Sequence, residues 1–239
     1  MQSAMSKVAR NNGLQLKRSF NRFKMHQFEV RGKSVEQVVN DLHFDEDVEY
    51  AEPNYIFEKQ STGIEGSPMS FSQMEAEVSA MNSGMSGGGS FQQTSAQIDA
   101  EAAWAALSNL PDKPVVAVID SGVDYNHYVF VDSGAIWENE DEIPGNGIDD
   151  DGNGYIDDVR GWNFVSNNND SMDDDNHGTH VAGIVLGMTQ DILAATVEES
   201  VIKILPLKFL DNQGVVTTSD ALEAINYAIA KGAVVINNY

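Results

Sequence analysis

An aspartate closes an apolar run at Val116-Ala117-Val118-Ile119-Asp120-Ser121-Gly122-Val123-Asp124, and a histidine follows 57 positions later in Asn176-His177-Gly178-Thr179-His180-Val181-Ala182-Gly183. A carboxylate at the end of a buried strand and an imidazole at the start of a small-residue helix can do proton chemistry together. The carboxylate accepts a hydrogen bond from one ring N–H and fixes the tautomer, leaving the other nitrogen to act as general base. Open α/β sheets gather such groups at the carboxyl ends of their strands. Each half has a plainer reading on its own: Asp-Ser-Gly is a turn sequence, and His177 can be a structural histidine. His177 and His180 are also three apart, a spacing open to a metal, but no His-Glu-x-x-His pattern accompanies them.

A second chemistry lies between those two residues. Asp149, Asp151 and Asn153 stand at alternate positions, and Gly154 follows where a sharp turn is needed. Hard oxygens at this spacing can converge on a calcium ion. Tyr155 can add its carbonyl and Asp157 a direct or water-mediated contact. Position twelve of such a loop is Arg160, not a bidentate glutamate, so Asp158 is the candidate substitute. The plainer reading is a solvated acidic loop. Packed carboxylates repel one another unless a cation offsets them, which favours the ion. Asp173, Asp174 and Asp175 form another acidic run, either a second site or exposed charge.

These residues need a frame. Val115–Asp120, Val201–Phe209 (interrupted by Pro206) and Ala233–Asn237 read as strands. Helices are expected over Ala100–Leu107, from His177 to Leu186, and over Ser219–Lys231. Ser219 is the expected cap of the last, Asp220 and Glu223 suit its positive first turn, and Gly232 follows its end. Strands alternating with helices predict an α/β fold, a parallel sheet covered on both faces. Residues 7–59 read instead as a small α+β unit. Its strands are Leu16–Phe20 and Met25–Val30, its helix Val35–Leu42 with Ser34 as cap, and its last segment, Val48–Phe57, is extended with Pro53 at a sheet edge. The intervening stretch is rich in Ser, Gly, Met and Gln and includes Gly87-Gly88-Gly89, the composition of a linker. The expected domains are therefore 1–59, a linker over 60–97, and 98–239.

Composition removes several classes of function. The chain has no cysteine, so disulfide frameworks and thiolate zinc sites are excluded. The net charge of −23 argues against nucleic acid and anionic membrane as partners. Residues 1–59 hold nine Lys/Arg and nine Asp/Glu, so the whole excess falls on residues 60–239, a division that suggests two parts with different tasks. No apolar run is long enough to span a bilayer, and Met1-Gln2-Ser3-Ala4 lacks the apolar core of a signal peptide.

Together, the strand-borne Asp-Ser-Gly and the His-Gly-Thr-His-Val-Ala-Gly segment resemble the subtilase family of serine proteases, whose triad runs Asp, His, Ser along the chain. The resemblance continues through Ile202–Phe209, the helix at 219–231 and the strand at 233–237. It implies a partial parallel subtilisin-like sheet and a serine-type endopeptidase acting on polypeptides. Asp120 would be the triad carboxylate, His177 the general base and His180 a helix residue behind them. Residues 7–57, ending Val48-Glu49-Tyr50-Ala51-Glu52-Pro53-Asn54-Tyr55, are similar to the family's ferredoxin-like prosegment. In the family that domain assists folding and then blocks the active site as an intramolecular inhibitor. Its first strand and most of its first helix have no counterpart here, so the chain is expected to begin inside it. The family's oxyanion Asn and its Gly-Thr-Ser nucleophile motif are absent, and Tyr239 stands where a Ser-x-Gly segment would begin. A truncated protein is therefore expected, inactive by itself, with an unfinished sheet edge. Secretion is expected by resemblance, with any signal upstream. Some subtilases carry a calcium insertion between Asp and His, and the spacing here leaves room for one. A different calcium site, reliant on His-Pro-Asp-Leu, is not expected, because the chain reads His127-Tyr128-Val129-Phe130. The alternative function is a non-catalytic calcium-binding pseudo-protease or an inhibitory prosegment module.

Overall fold

The computed structural model of the chain describes residues 2–58, 106, 110–187, 199–211 and 213–238. The expected linker, both of its boundaries and nearly all of the expected helix at 100–107 lie outside the described residues. In chain order the elements are α1 (Gln2–Asn12), β1 (Leu14–Phe20), β2 (Met25–Val30), α2 (Val35–Leu42), β3 (Ile56–Glu58), β4 (Val115–Asp120), α3 (Tyr128–Ser133), β5 (Trp162–Asn163), α4 (His177–Gly187), β6 (Lys203–Lys208), β7 (Val215–Thr217), α5 (Thr218–Ala230) and β8 (Ala233–Asn238).

The main sheet is parallel, in the order β5-β6-β4-β8, so the expected α/β architecture is present. Successive side chains of a strand point to opposite faces, and β4 divides accordingly. Ala117 and Ile119 join Leu205, Leu207, Trp162, Phe164 and the α5 residues Ala224, Tyr227 and Ala228. Val116 and Val118 join Ile204, Val123, Phe130 and the α4 residues Ala182 and Leu186 on the other face. Burial on both faces is why the strand reads as an unbroken apolar run. The same alternation puts Asp120, like 116 and 118, on the α4 face. At the edge of the sheet, β8 leaves Val234 and Val235 68% and 53% exposed.

Pro206 does not interrupt its strand; β6 runs straight through it. Lys203 donates its backbone N–H to Pro114 on the β4 side, whereas Ile204 donates to Ala135 on the other. Pro206 shares the side of Ile204, so its missing N–H falls between the Ile136–Ile204 bridge and β5, where no ladder bond is needed. Gly161 abuts it there. The helix after β7 is capped by Thr217, not Ser219: Thr217 is extended at φ −108°, and its side chain accepts the Asp220 N–H. Gly232, at φ +80°, ends that helix as expected.

The N-terminal unit is a small α+β body. β1 and β2 pair antiparallel, and Ser34 caps α2 in a reciprocal box with Gln37. Val8 of α1 packs on Val38 and Leu42 of α2. α1 stands where the sequence reading counts most of the prosegment's first helix as missing and assigns no separate element; its inward stripe, Ala4, Met5, Val8 and Ala9, is short and built mostly of small residues, with Val8 alone fully buried among the described side chains. Within the expected extended segment at 48–57, strand structure is confined to β3 at its end.

A Cβ added to Gly161 would lie 1.8 Å from the Pro206 carbonyl oxygen, at a backbone φ of +82°. Gly161→Ala should therefore lower unfolding stability by about 3 kcal/mol, combining overpacking and left-handed strain of ~1–3 kcal/mol each. Urea denaturation of the two proteins checks this.

Candidate active site

Asp120 ends β4 with no exposure to water. Its Oδ1 accepts the Ser121 N–H at 2.7 Å. His177 opens α4, and its Nδ1 lies 2.8 Å from Asp120 Oδ1 and 3.0 Å from Oδ2. A carboxylate can only accept, so Nδ1 carries the hydrogen. The helix start can come this close because residue 178 is glycine. A Cβ there would sit 2.0 Å from the Gly122 carbonyl oxygen and 3.0 Å from Asp120 Cβ. Asn176, left-handed at φ +68°, turns the chain into the helix, and its carbonyl accepts the His180 N–H.

The neighbouring polar groups are all engaged. Lys208, paired with Asp120 across the β4–β6 ladder, is buried and donates to the Ser121 carbonyl and to Asp174, each at 2.6 Å. Asp174 is thus an ion-pair partner. Burial pushes the Asp173 carboxyl upward, but the Thr179 hydroxyl and the backbone amides of Asp175 and Thr179 outweigh it, and Asp173 is held below the ordinary carboxylate value. His180 is exposed. The residue that reaches the site from this turn is Thr179, whose hydroxyl also accepts the Asp124 N–H at 2.9 Å.

The acidic loop divides its expected ligands. Asp149 accepts the amides of Asn153 and Gly154 and curls the loop around its own carboxylate. Asn153 donates to both Asp151 and Asp158 and accepts the Tyr155 N–H. Asp157 faces the preceding turn, accepting from Asn146 and Gly147. Asp151 and Asp158 converge with Glu142, with one carboxylate oxygen from each within 4.8 Å of the others. Glu142 lies outside the loop's spacing pattern, so sequence reading misses it. Its carboxylate accepts the amides of Asp150, Asp151 and Asp157. Lys231, from the end of α5, lies 2.7 Å from Asp151 and 3.2 Å from Asp158. Burial would raise the Asp151 carboxyl, yet the bonds from Lys231, Asn139 and Asn153 bring it down to about 2. Three carboxylates against one ammonium leave an excess of two negative charges. That hard-oxygen, net-negative set fits a divalent metal ion.

Comparison with known proteins decides the family. The Subtilase family profile matches residues 112–238, more than half of the chain. The chain belongs to the subtilase family. The fervidolysin N-terminal prodomain profile matches residues 1–54, so this subtilase carries a prosegment. Subtilisin-like protease 1 of Plasmodium berghei (strain Anka) is 37% identical over 54% of this chain and 22% of its own length. Thermophilic serine proteinase of Bacillus sp. (strain AK1) is 31% identical over 85% of this chain and 40% of its own length. Thermitase of Thermoactinomyces vulgaris is 35% identical over 33% of this chain and 28% of its own length. The chain thus spans between about a fifth and two fifths of these relatives.

In this subtilase the prosegment and the short stretch after it grip the start of α5. β3 pairs antiparallel with β7. Tyr55 O accepts the Thr218 N–H at 3.0 Å, and Asn54 Oδ1 accepts that of Ser219 at 2.9 Å, two donors that the helix cannot satisfy itself. Arg18 bridges Asp220 at 2.9 Å and Glu223 at 2.5 Å, and Arg22 donates to Asn226. Reversing the central charge, Arg18→Glu, should cost this contact about 1 kcal/mol. Hydrogen exchange at the Thr218 and Ser219 amides should accelerate several-fold, and less so in high salt.

Proposed function

We propose that this chain carries the Asp–His part of the triad of a serine endopeptidase, together with the prosegment that restrains it. The observation that carries this reading is the pair of 2.8 and 3.0 Å contacts from His177 Nδ1 to a fully buried Asp120. Asp120 orients the ring and stabilises the imidazolium that forms during reaction. His177 Nε2 takes the proton of a serine hydroxyl as that oxygen attacks the peptide carbonyl, then returns it to the leaving amine. We assign that serine to polypeptide outside the sequence described here, and this chain alone to an inactive state. The substrate is a polypeptide. The antiparallel pairing of β3 on β7 supports a prosegment that lies as a strand where an extended substrate would lie.

The test is turnover of a peptide by the complete gene product freed of its prosegment. His177→Ala should reduce kcat on the order of a millionfold, and Asp120→Asn about 10⁴-fold. Loss of less than tenfold in either variant sinks the reading.

We further propose that the acidic loop binds calcium. Asp149, Asp151, Asn153 and the Tyr155 carbonyl would hold it, with Asp158 and Glu142 supplying the carboxylates missing at position twelve. Asp157, turned to the preceding amides, would contribute at most through water. Calcium here is structural. Tyr155 packs its ring on Trp162, Phe164 and Tyr227, so an ordered loop is an ordered core face. Secretion is proposed from membership of the subtilase family, whose members are commonly exported. None of the described helices is long and apolar enough to cross a membrane. Calcium at a hundred times its Kd should stabilise the chain by about 2.7 kcal/mol, seen as a raised Tm that a chelator reverses. Asp149→Asn with Asp151→Asn should abolish that shift; an unchanged shift would contradict the site.

A further inference from the structure

We propose that Asp173 is a positioning residue for the Asp120–His177 pair, tying the strand end that bears one to the helix start that bears the other. The inference rests on the reading of that pair as a proton-transfer dyad. Asp120 and His177 come from elements 57 residues apart, so their contact depends on what fixes the end of β4 against the first turn of α4. The Asp173 carboxylate spans that gap. Its Oδ1 accepts the Ser121 hydroxyl at 2.8 Å, from the residue next to Asp120. The same oxygen accepts the amides of Asp175 and Asn176 at 3.0 Å, setting the turn just before His177. Its Oδ2 accepts the Thr179 amide at 2.8 Å and the Thr179 hydroxyl at 2.5 Å, two residues beyond His177.

Both hydroxyls are used twice. Ser121 Oγ also accepts the Gly178 N–H at 3.0 Å, and Thr179 Oγ1 accepts the Asp124 N–H. The first amides of α4 are thereby satisfied by groups of the β4 end and of the acidic turn, and the helix is docked by the bonds that cap it. Five hydrogen bonds also hold Asp173 as the anion, consistent with its lowered carboxyl pKa. A catalytic ring displaced by about 1 Å can lose a hundredfold in rate, so a clamp flanking His177 on both sides acts on chemistry through position. The five bonds of Asp173 go to Ser121, Asp175, Asn176 and Thr179, so its effect on the pair is one of position.

The test is proton NMR of the 239-residue chain, following the far-downfield resonance of the His177 Nδ1 hydrogen bonded to Asp120. Asp173→Asn and Thr179→Val remove parts of the clamp. Thr179→Ser restores the hydroxyl. Asp170, in the same turn, accepts from the Met172 amide and the Tyr125 hydroxyl, bonds outside the clamp, so Asp170→Asn is the control. Methyl signals of Ile119 and Leu205 report whether the core is intact. The clamp predicts the resonance in the parent, the control and Thr179→Ser. In Asp173→Asn and Thr179→Val it should be lost, or exchange with water at least tenfold faster, with the core signals unchanged. An unaltered resonance in both of those folded variants overturns the proposal. If Asp173→Asn does not fold, the contrast between Thr179→Val and Thr179→Ser decides alone. If the folded parent itself lacks the resonance, the dyad reading fails, and the clamp falls with it.

Discussion

A carboxylate cut off from water is costly unless protein groups compensate it, and Asp120 imposes that requirement at the end of the strand flanked on both sides of the main sheet. Its compensation comes from the Ser121 amide and from His177. Each depends on a backbone that could not be built otherwise. Gly178 lets α4 touch the Gly122 carbonyl. Gly122, at φ +110°, lies so close to the carbonyls of Ser171 and Met172 that no side chain would fit. Lys208 enters the same region on the paired strand, and its charge is absorbed by Asp174 and the Ser121 carbonyl. The apolar layers on either side of β4 hold this polar centre in register; the polar centre in turn explains why the end of an otherwise apolar strand is acidic.

α5 connects the other two parts of the molecule to that sheet. Its first turn receives the prosegment through Asn54, Tyr55 and Arg18. Its far end sends Tyr227 and Lys231 into the acidic loop, where Tyr227 donates to the buried Asp158 at 2.6 Å. Burial and the adjacent Asp158 both push the Tyr227 phenol upward, so it remains a donor. Between the two ends, Glu223 meets both Arg18 of the prosegment and, at 3.4 Å, the Tyr155 hydroxyl of the loop. The helix buries Ala224 and Ala228 against the sheet, while its polar positions carry contacts to both neighbours. Its thirteen residues thus join three regions of very different composition.

What the sequence reveals follows from how local each cause is. The apolar run ending at Asp120 marks β4 to the residue, and Ser34 with Gln37 marks the start of α2, because strand burial and capping are written in adjacent positions. Thr217, Thr218 and Ser219 are three successive hydroxyl residues, so composition cannot choose the cap; the extended pairing of β7 with β3 chooses Thr217. β5 and β7 are two and three residues long and owe their existence to partners far along the chain. Glu142 joins Asp151 and Asp158 by a turn that no spacing rule describes. Thr179, not His180, faces inward because the helix rotates it toward Asp173. Asp120 and His177 were legible as a pair because residue type, strand end and helix start coincide there; the clamp around them was not, because Ser121, Asp173 and Thr179 are ordinary polar residues until folding joins them.

In the proposed chemistry His177, held by Asp120, activates a serine. This activation is tested by mass spectrometry of the complete gene product, freed of its prosegment, after exposure to a fluorophosphonate. One phosphonylated serine is expected, labelled at least a thousandfold more slowly in the His177→Ala variant. Labelling that is equal in the two proteins, or absent from the parent, would contradict it.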